Sequence, residues 1–259
     1  MTALLLFILR VNVTNKHMTQ SNAFNENYFS TNTYENTSFA KYSMYWWSNR
    51  FYAILARRYG QRGTRLLEIG SGMGHLIGSL EADFGTTALD INHWALKESR
   101  DIAPQTDLNV GSAENLPFAD SSFGVIIIKH VVEHLRDPEL AISELGRILS
   151  PGGILVLATP NLDSLLKPLK GDAWIGYQDP THIALKPPND WLNYLRSAGF
   201  SPPIKLFSDG FWDVPYISYV PDILQKLFFG SLGGLQAILG IPFLPMKWGE
   251  SIMLVAEKK

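Results

Sequence analysis

Short apolar runs recurring between helical stretches constrain this chain more than any other feature. Residues 65–69 (RLLEI), 86–89 (TTAL), 123–128 (FGVIII) and 154–158 (ILVLA) read as buried strands, and 107–110 (DLNV) as a further strand. Between and after them, 74–84, 93–102 and 138–149 carry helical spacing, and 189–198 reads as a helix stopped by Gly199. From residue 45, Trp46, Trp47, Phe51, Ile54, Leu55 and Tyr59 recur at helical spacing with Arg50, Arg57 and Arg58 between them. Strands apolar on both faces that alternate with helices predict an α/β fold: a doubly wound, mostly parallel sheet with helices on either side. Ligands of such sheets bind beyond the carboxyl ends of the strands, so the chemistry is expected in the residues just after each strand.

Composition excludes several classes of function. There is no cysteine among the 259 residues, which rules out a disulfide scaffold, a cysteine nucleophile and thiolate zinc. A net charge of -2 leaves no basic field for nucleic acid. Charged residues make up 18% of the chain, against a usual ~25%. The deficit lies in two stretches. Residues 18–40 are rich in Asn, Ser and Thr and are expected to be a mobile or cofactor-covering stretch of a partly mobile N-terminal arm over 1–44. The apolar stretch 3–9 makes a poor signal peptide, and Met18 is an alternative start. Residues 200–249 hold ten aromatics and six charges, including an uncharged run of 20 residues over 227–246. That run is long enough to span a bilayer, but Gly230, Gly233, Gly234, Gly240, Pro242 and Pro245 are expected to interrupt a helix there. An apolar lid or substrate-side insertion over about 209–248 is the preferred expectation. Peripheral membrane contact through 220–247 is the sharper one.

After the first strand comes Glu68-Ile69-Gly70-Ser71-Gly72-Met73-Gly74-His75. Glycines at 70, 72 and 74 let the backbone turn tightly and approach a ligand where a Cβ would clash. The spacing differs from the dinucleotide G-x-G-x-x-G because position 75 is His. Asp90 ends the second strand, where a carboxylate can accept two hydrogen bonds from a ribose diol. The two features together point to an adenosine-type cofactor.

Four ordered segments across about 65–161 carry a family resemblance: LLEIGSGMGHL, TALDIN, NVGSAENLPFADSSFGVIIIKHVVEHLRDP and ELGRILSPGGILVLATPN. They resemble the class I S-adenosylmethionine-dependent methyltransferases. The resemblance implies a seven-stranded Rossmann-like sheet over 45–259, with S-adenosyl-L-methionine as cofactor. It also implies that Glu68, Gly70, Ser71, Gly72 and Gly74 wrap the methionine part, that Asp90 holds the ribose, and that Ile91 packs against adenine. Ser112, Ala113 and Glu114 stand where the family often has Asp-Ala-Glu. Ser112 replaces the Asp that meets the adenine amino group, leaving backbone groups of Ala113 for that contact. Lys129 and His130 match positions lining the cofactor and substrate side.

Methyl transfer needs alignment and, for a hydroxyl acceptor, removal of a proton. His130 and His182 are the candidate bases, and the D-x-x-H spacing of Asp179 and His182 could orient the latter. His134 reads mainly as structural. No metal is called for: His130 and His134 alone have helical i,i+4 spacing, and they do not form H-E-x-x-H. Trp174, Tyr177, Phe211, Trp212, Tyr216 and Tyr219 suggest an aromatic acceptor pocket, or equally the packing of an insertion onto the sheet. The leading expectation is a cytoplasmic methyltransferase acting on a small, hydrophobic acceptor, at oxygen, with no nucleic acid partner. A non-catalytic, membrane-peripheral cofactor-binding protein and an NAD-dependent oxidoreductase are the alternatives. The oligomeric state stays open.

Overall fold

The computed structural model describes residues 38–259, so the expected arm over 1–44 falls outside the described residues as far as residue 37. The elements are α1 (Met44–Tyr59), β1 (Arg65–Ile69), β2 (Gly85–Asp90), α2 (His93–Ile102), β3 (Asp107–Val110), β4 (Phe123–Lys129), α3 (Pro138–Ile148) and β5 (Leu149–Pro160). They continue with α4 (Pro188–Ser197), β6 (Lys205–Ser208), α5 (Asp222–Leu239) and β7 (Ser251–Glu257). The seven strands form one sheet in the order β3-β2-β1-β4-β5-β7-β6. β1 to β5 run parallel, and β7 enters antiparallel between β5 and β6. The expected α/β doubly wound, mostly parallel sheet is therefore present.

Alternation along each strand divides the core into two layers. Leu67, Ile69, Ile126, Ile128, Leu155 and Leu157 face α3 and α4, packing on Ile142, Leu145, Trp191 and Leu195. Leu66, Ala88, Val125, Ile127 and Val156 face the other way, onto Phe51, Tyr52 and Leu55 of α1 and Leu96 of α2. Both faces are covered, which is why the central strands read as continuous apolar runs rather than as alternating ones.

Two expectations about helices need correction. The stretch 74–84 is not one helix: a single turn, His75–Gly78, follows Gly74, and the chain then turns back toward β2. Asp83 holds this return, its carboxylate accepting from Arg57 Nε at 2.6 Å and its carbonyl accepting from Gly63 N at 2.8 Å. The second correction concerns α5, which runs unbroken through Gly230, Gly233 and Gly234 and ends at Gly240 in the left-handed conformation. Each interior glycine costs about 1 kcal/mol relative to alanine. Gly233 has a packing reason to be there, since a Cβ would lie 2.5 Å from the Asp209 carbonyl oxygen.

α5 buries its glutamines and exposes its leucines. Gln225 accepts from Tyr216 N (2.7 Å) and Ile217 N (3.0 Å) and donates to the carbonyls of Ile217 and Val220. Gln236 donates to the Ser208 carbonyl and accepts from Phe243 N and Leu244 N. Arg50 of α1 donates to the carbonyls of Ala237 and Ile238 at the far end of α5. Ile223, Leu224, Leu227, Phe228, Leu235 and Ile238 remain exposed. Among the described residues, no helix is long and apolar enough to cross a membrane.

Candidate active site

The sheet order reverses between β1 and β4, and the carboxyl ends of the parallel strands meet there. Gly70, Gly72 and Gly74 all adopt positive φ (72°, 51° and 79°), as the close-turn reading expects. At Gly70 a Cβ would fall 2.2 Å from Val131 Cγ2, and at Gly74 it would fall 2.7 Å from Ser99 Cβ. Asp90, buried at the end of β2, ties this loop down. Its Oδ2 accepts from Gly72 N and its Oδ1 from Asn92 N, both at 2.8 Å. Burial raises the Asp90 carboxyl, and these two N–H groups and that of Ile91 oppose the rise. Phe39 stacks flat on His75, with ring centroids 4.9 Å apart, and Tyr45 meets the same ring edge-on, so aromatic side chains cover the exit of the glycine loop.

Behind the loop, two buried polar atoms have no partner among the described residues: Glu68 Oε2 and Ser71 Oγ. Buried polar groups are rarely left unsatisfied, and such a pair beside a left-handed glycine loop fits a polar ligand. Burial raises the Glu68 carboxyl to about 8, against the pull of Lys129. Lys129, at the end of β4, donates to Ser48 Oγ (3.1 Å) and Asn49 Oδ1 (2.9 Å) and lies over the Tyr52 ring at 4.9 Å. Burial lowers its ammonium to about 8, against the charges of Glu68 and Asp209.

The next residue, His130, has φ of +52°, a conformation that L side chains seldom adopt. Strain of this kind tends to gather at functional sites. Its Nδ1 lies 3.1 Å from Glu133 Oε1, and its Nε2 lies 3.4 Å from Ser251 Oγ. Glu133 is fully buried and also accepts from Thr159 Oγ1 at 3.1 Å. Burial alone would raise Glu133, but the hydrogen bond and charge of His130 and the charge of His134 hold it below the ordinary carboxylate range. Ser251 donates through Oγ (2.7 Å) and N (2.8 Å) to Asp209, which also accepts from Trp212 Nε1. β7 runs antiparallel, so Ser251 at its start lands on the same edge as the ends of β4 and β5.

Residues 67–157 match the family described as Methyltransferase domain. The chain carries a class I, S-adenosylmethionine-dependent methyltransferase domain. Malonyl-[acyl-carrier protein] O-methyltransferase of Methylococcus capsulatus is 36% identical over 152 residues, which cover 56% of this chain and 54% of that protein. Demethylmenaquinone methyltransferase of Renibacterium salmoninarum is 34% identical over 97 residues, 37% of this chain and 41% of that one. The chain thus spans about half the length of the curated relatives it matches. A SAM-dependent methyltransferase from Thermotoga maritima, described as a possible histamine N-methyltransferase, superposes with a TM-score of 0.58. That match covers 82% of this chain and 89% of the other at 19% identity, so it speaks for the fold alone.

The remaining expected contacts of the methyltransferase domain distribute unevenly. Ile91 follows Asp90 at the strand end and is partly exposed there, whereas Ala113 is buried in the core against its neighbours. Ser112 Oγ accepts from Glu114 N at 3.2 Å, and Glu114 Oε1 accepts from Asp137 N at 2.7 Å, at the start of α3. Ser112 and Glu114 therefore build the turn that presents the Ala113 backbone. Of the expected aromatic pocket, Trp174, Phe211 and Tyr216 are buried, while Tyr177, Trp212 and Tyr219 are exposed. Trp174 Nε1 and Tyr216 Oη both donate to the buried Glu250, a packing role. Asp179 accepts from Thr181 N and Oγ1 and its Oδ2 lies 3.9 Å from His182 Nε2, while His182 Nδ1 lies 2.7 Å from the Gly176 carbonyl oxygen. Asp209, Ser251 and Glu133 were missed in the sequence. Glu133 had a signal in its i+3 spacing from His130, whereas Asp209 and Ser251 had none.

The raised Glu68 carboxyl has a testable consequence in this domain. A cationic ligand beside it favours the carboxylate, so binding releases a proton below the folded pKa of about 8. Affinity for S-adenosylmethionine is therefore expected to rise between pH 6.5 and 8 and then level off, and Glu68→Gln should flatten the rise. Calorimetry across this range checks it; a wild-type affinity independent of pH would contradict the assignment of Glu68.

Proposed function

We propose that this chain transfers a methyl group from S-adenosylmethionine to an oxygen of a small, apolar acceptor. The observation that carries the reading is the pair of unpartnered buried atoms, Glu68 Oε2 and Ser71 Oγ, behind a glycine loop anchored by Asp90. When bound, the cofactor supplies an electrophilic methyl group. Glu68, Ser71 and the loop backbone would hold its amino-acid end, and Asp90 its ribose. Ile91 and the turn around Ala113 would meet its base.

The oxygen acceptor rests on His130. In the tautomer whose Nδ1–H donates to Glu133, Nε2 is the ring atom left to accept a proton from an acceptor hydroxyl. The Ser251 contact to Nε2, at 3.4 Å, is long enough to give way. Two relatives are named for malonyl-[acyl-carrier protein] and demethylmenaquinone as acceptors; the acceptor proposed here is apolar because residues 209–248 carry few charges.

Calorimetric titration with S-adenosylmethionine and S-adenosylhomocysteine is the direct test, followed by a mass search for methylated products in an extract supplied with labelled cofactor. His130→Ala should lower kcat about 100-fold or more while leaving cofactor affinity unchanged. Binding of neither cofactor form would end the proposal.

The exposed apolar face of α5 supports a second reading, in which this face rests on a lipid surface and brings an apolar acceptor to the site. Co-sedimentation with vesicles that is lost in a Leu227→Asp, Phe228→Asp double variant would support it.

A further inference from the structure

The turn after β4 and the loop before α4 bring together three side chains far apart in the chain. Glu133, His134 and His182 each present a ligand atom, and the three atoms lie within 4.8 Å of one another. Their surroundings orient them. His182 Nδ1 is 2.7 Å from the Gly176 carbonyl oxygen, so that nitrogen carries the proton and Nε2 presents its lone pair. His134 Nδ1 lies 3.2 Å from the Thr181 carbonyl oxygen and 2.9 Å from Thr181 Oγ1. A ring nitrogen held by a backbone carbonyl is the usual support of a metal-ligating histidine. Glu133 is fixed by Thr159 Oγ1 and His130 Nδ1 and keeps further lone pairs on both oxygens.

The charges agree with this arrangement. The two imidazoles face each other with centroids 4.7 Å apart. Asp179 adds a second carboxylate, with Oδ2 3.9 Å from His182 Nε2. Two carboxylates and two imidazoles in a largely buried cluster complement a divalent cation.

We propose that Glu133, His134 and His182 form a binding site for a divalent transition-metal cation of the zinc class, next to the acceptor side of the methyltransferase domain. Two imidazole nitrogens and one carboxylate oxygen suit such an ion better than a harder one. The atoms lie within 4.8 Å of one another, and in a tetrahedral zinc site they would close to an edge of roughly 3.4 Å. The fourth position opens toward Asp179 or a ligand. If the methyl-transfer reading holds, the ion would polarise an acceptor oxygen and lower the pKa of its hydroxyl, leaving His130 to take the proton.

The test uses the full chain, stripped with chelator and titrated with Co2+, followed by visible absorption and calorimetry, with Zn2+ as competitor. One equivalent of Co2+ should bind with the strong absorption of a four-coordinate site and be displaced by Zn2+. His182→Ala and His134→Ala should each weaken binding about tenfold or more, and His93→Ala, on the exposed start of α2, should leave it unchanged. S-adenosylhomocysteine binding by His182→Ala reports that the fold persists. Co2+ binding by the wild type no tighter than by the His134→Ala, His182→Ala double variant would overturn the metal site. Co2+ binding without S-adenosylhomocysteine binding in the wild type would support the metal site and remove the methyl-transfer reading instead.

Discussion

Asp90→Ala is expected to bring S-adenosylmethionine binding below detection and to lower the melting temperature. The carboxylate does two things at once. It holds Gly72 N and Asn92 N at 2.8 Å each, and in the proposed cofactor site it is the acidic group that would accept from the ribose diol. Removing it leaves two N–H groups with no acceptor in a buried setting, at about 1–3 kcal/mol apiece. It also frees Asn92, whose Oδ1 caps α2 by accepting from Ala95 N. On the ligand side, hydrogen bonds to a charged group are worth about 1.5–3 kcal/mol each, so two of them correspond to a loss of more than about 100-fold in affinity. Asp90→Asn should have an intermediate effect, because the amide keeps one of the two acceptor oxygens and loses the charge. Thermal denaturation and calorimetry on both variants check this. Wild-type affinity in Asp90→Ala would remove the residue from the cofactor site.

Glu250→Ala is expected to cost about 3–5 kcal/mol of stability. Its carboxyl group is almost fully buried just before β7 and accepts from both Trp174 Nε1 and Tyr216 Oη. Both aromatic donors are themselves buried and have no water to turn to. Lys170 continues the network by donating to Asp213, whose backbone N donates in turn to Tyr216 Oη at 3.0 Å. The loss should be concentrated in 171–220, which this cluster joins to the sheet, and proteolysis there should accelerate. Glu250→Gln keeps an acceptor oxygen and should cost about 1 kcal/mol. Urea denaturation measures both; a change below about 1 kcal/mol in Glu250→Ala would show that the cluster relaxes around water.

The strands were legible in the sequence because a sheet buried on both faces needs unbroken apolar runs, and 125–128 is an unbroken β-branched run. The helix expected over 74–84 was not, because apolar spacing there serves turns that bury Leu80 and Phe84 as well as it serves a helix. The run 227–246 misled in the opposite direction. Its glycines argue against a helix by propensity, yet Gly233 is what lets α5 approach the Asp209 backbone. The same helix reverses the normal pattern by burying Gln225 and Gln236, because the loops 216–220 and 243–244 need partners for their backbone groups.

The local half of the site was determined by the sequence alone. Glu68, the three glycines and Asp90 lie directly after strands, and a parallel sheet must bring the ends of adjacent strands to one edge. His130 follows β4 in the same way, and Glu133, which the sequence reading passed over, lies only three residues beyond it. The other half was decided by tertiary structure. Asp209 and Ser251 reach His130 because β7 runs antiparallel between β5 and β6 and so starts at the edge where the parallel strands finish. His182 reaches His134 and Glu133 because the loop before α4 folds back across that edge, with Ala184 N donating to the Glu133 carbonyl at 2.9 Å. Spacing along a chain encodes contacts within one helix or strand end. Contacts between side chains 48 or more residues apart depend on strand direction and loop path, which the packed core selects.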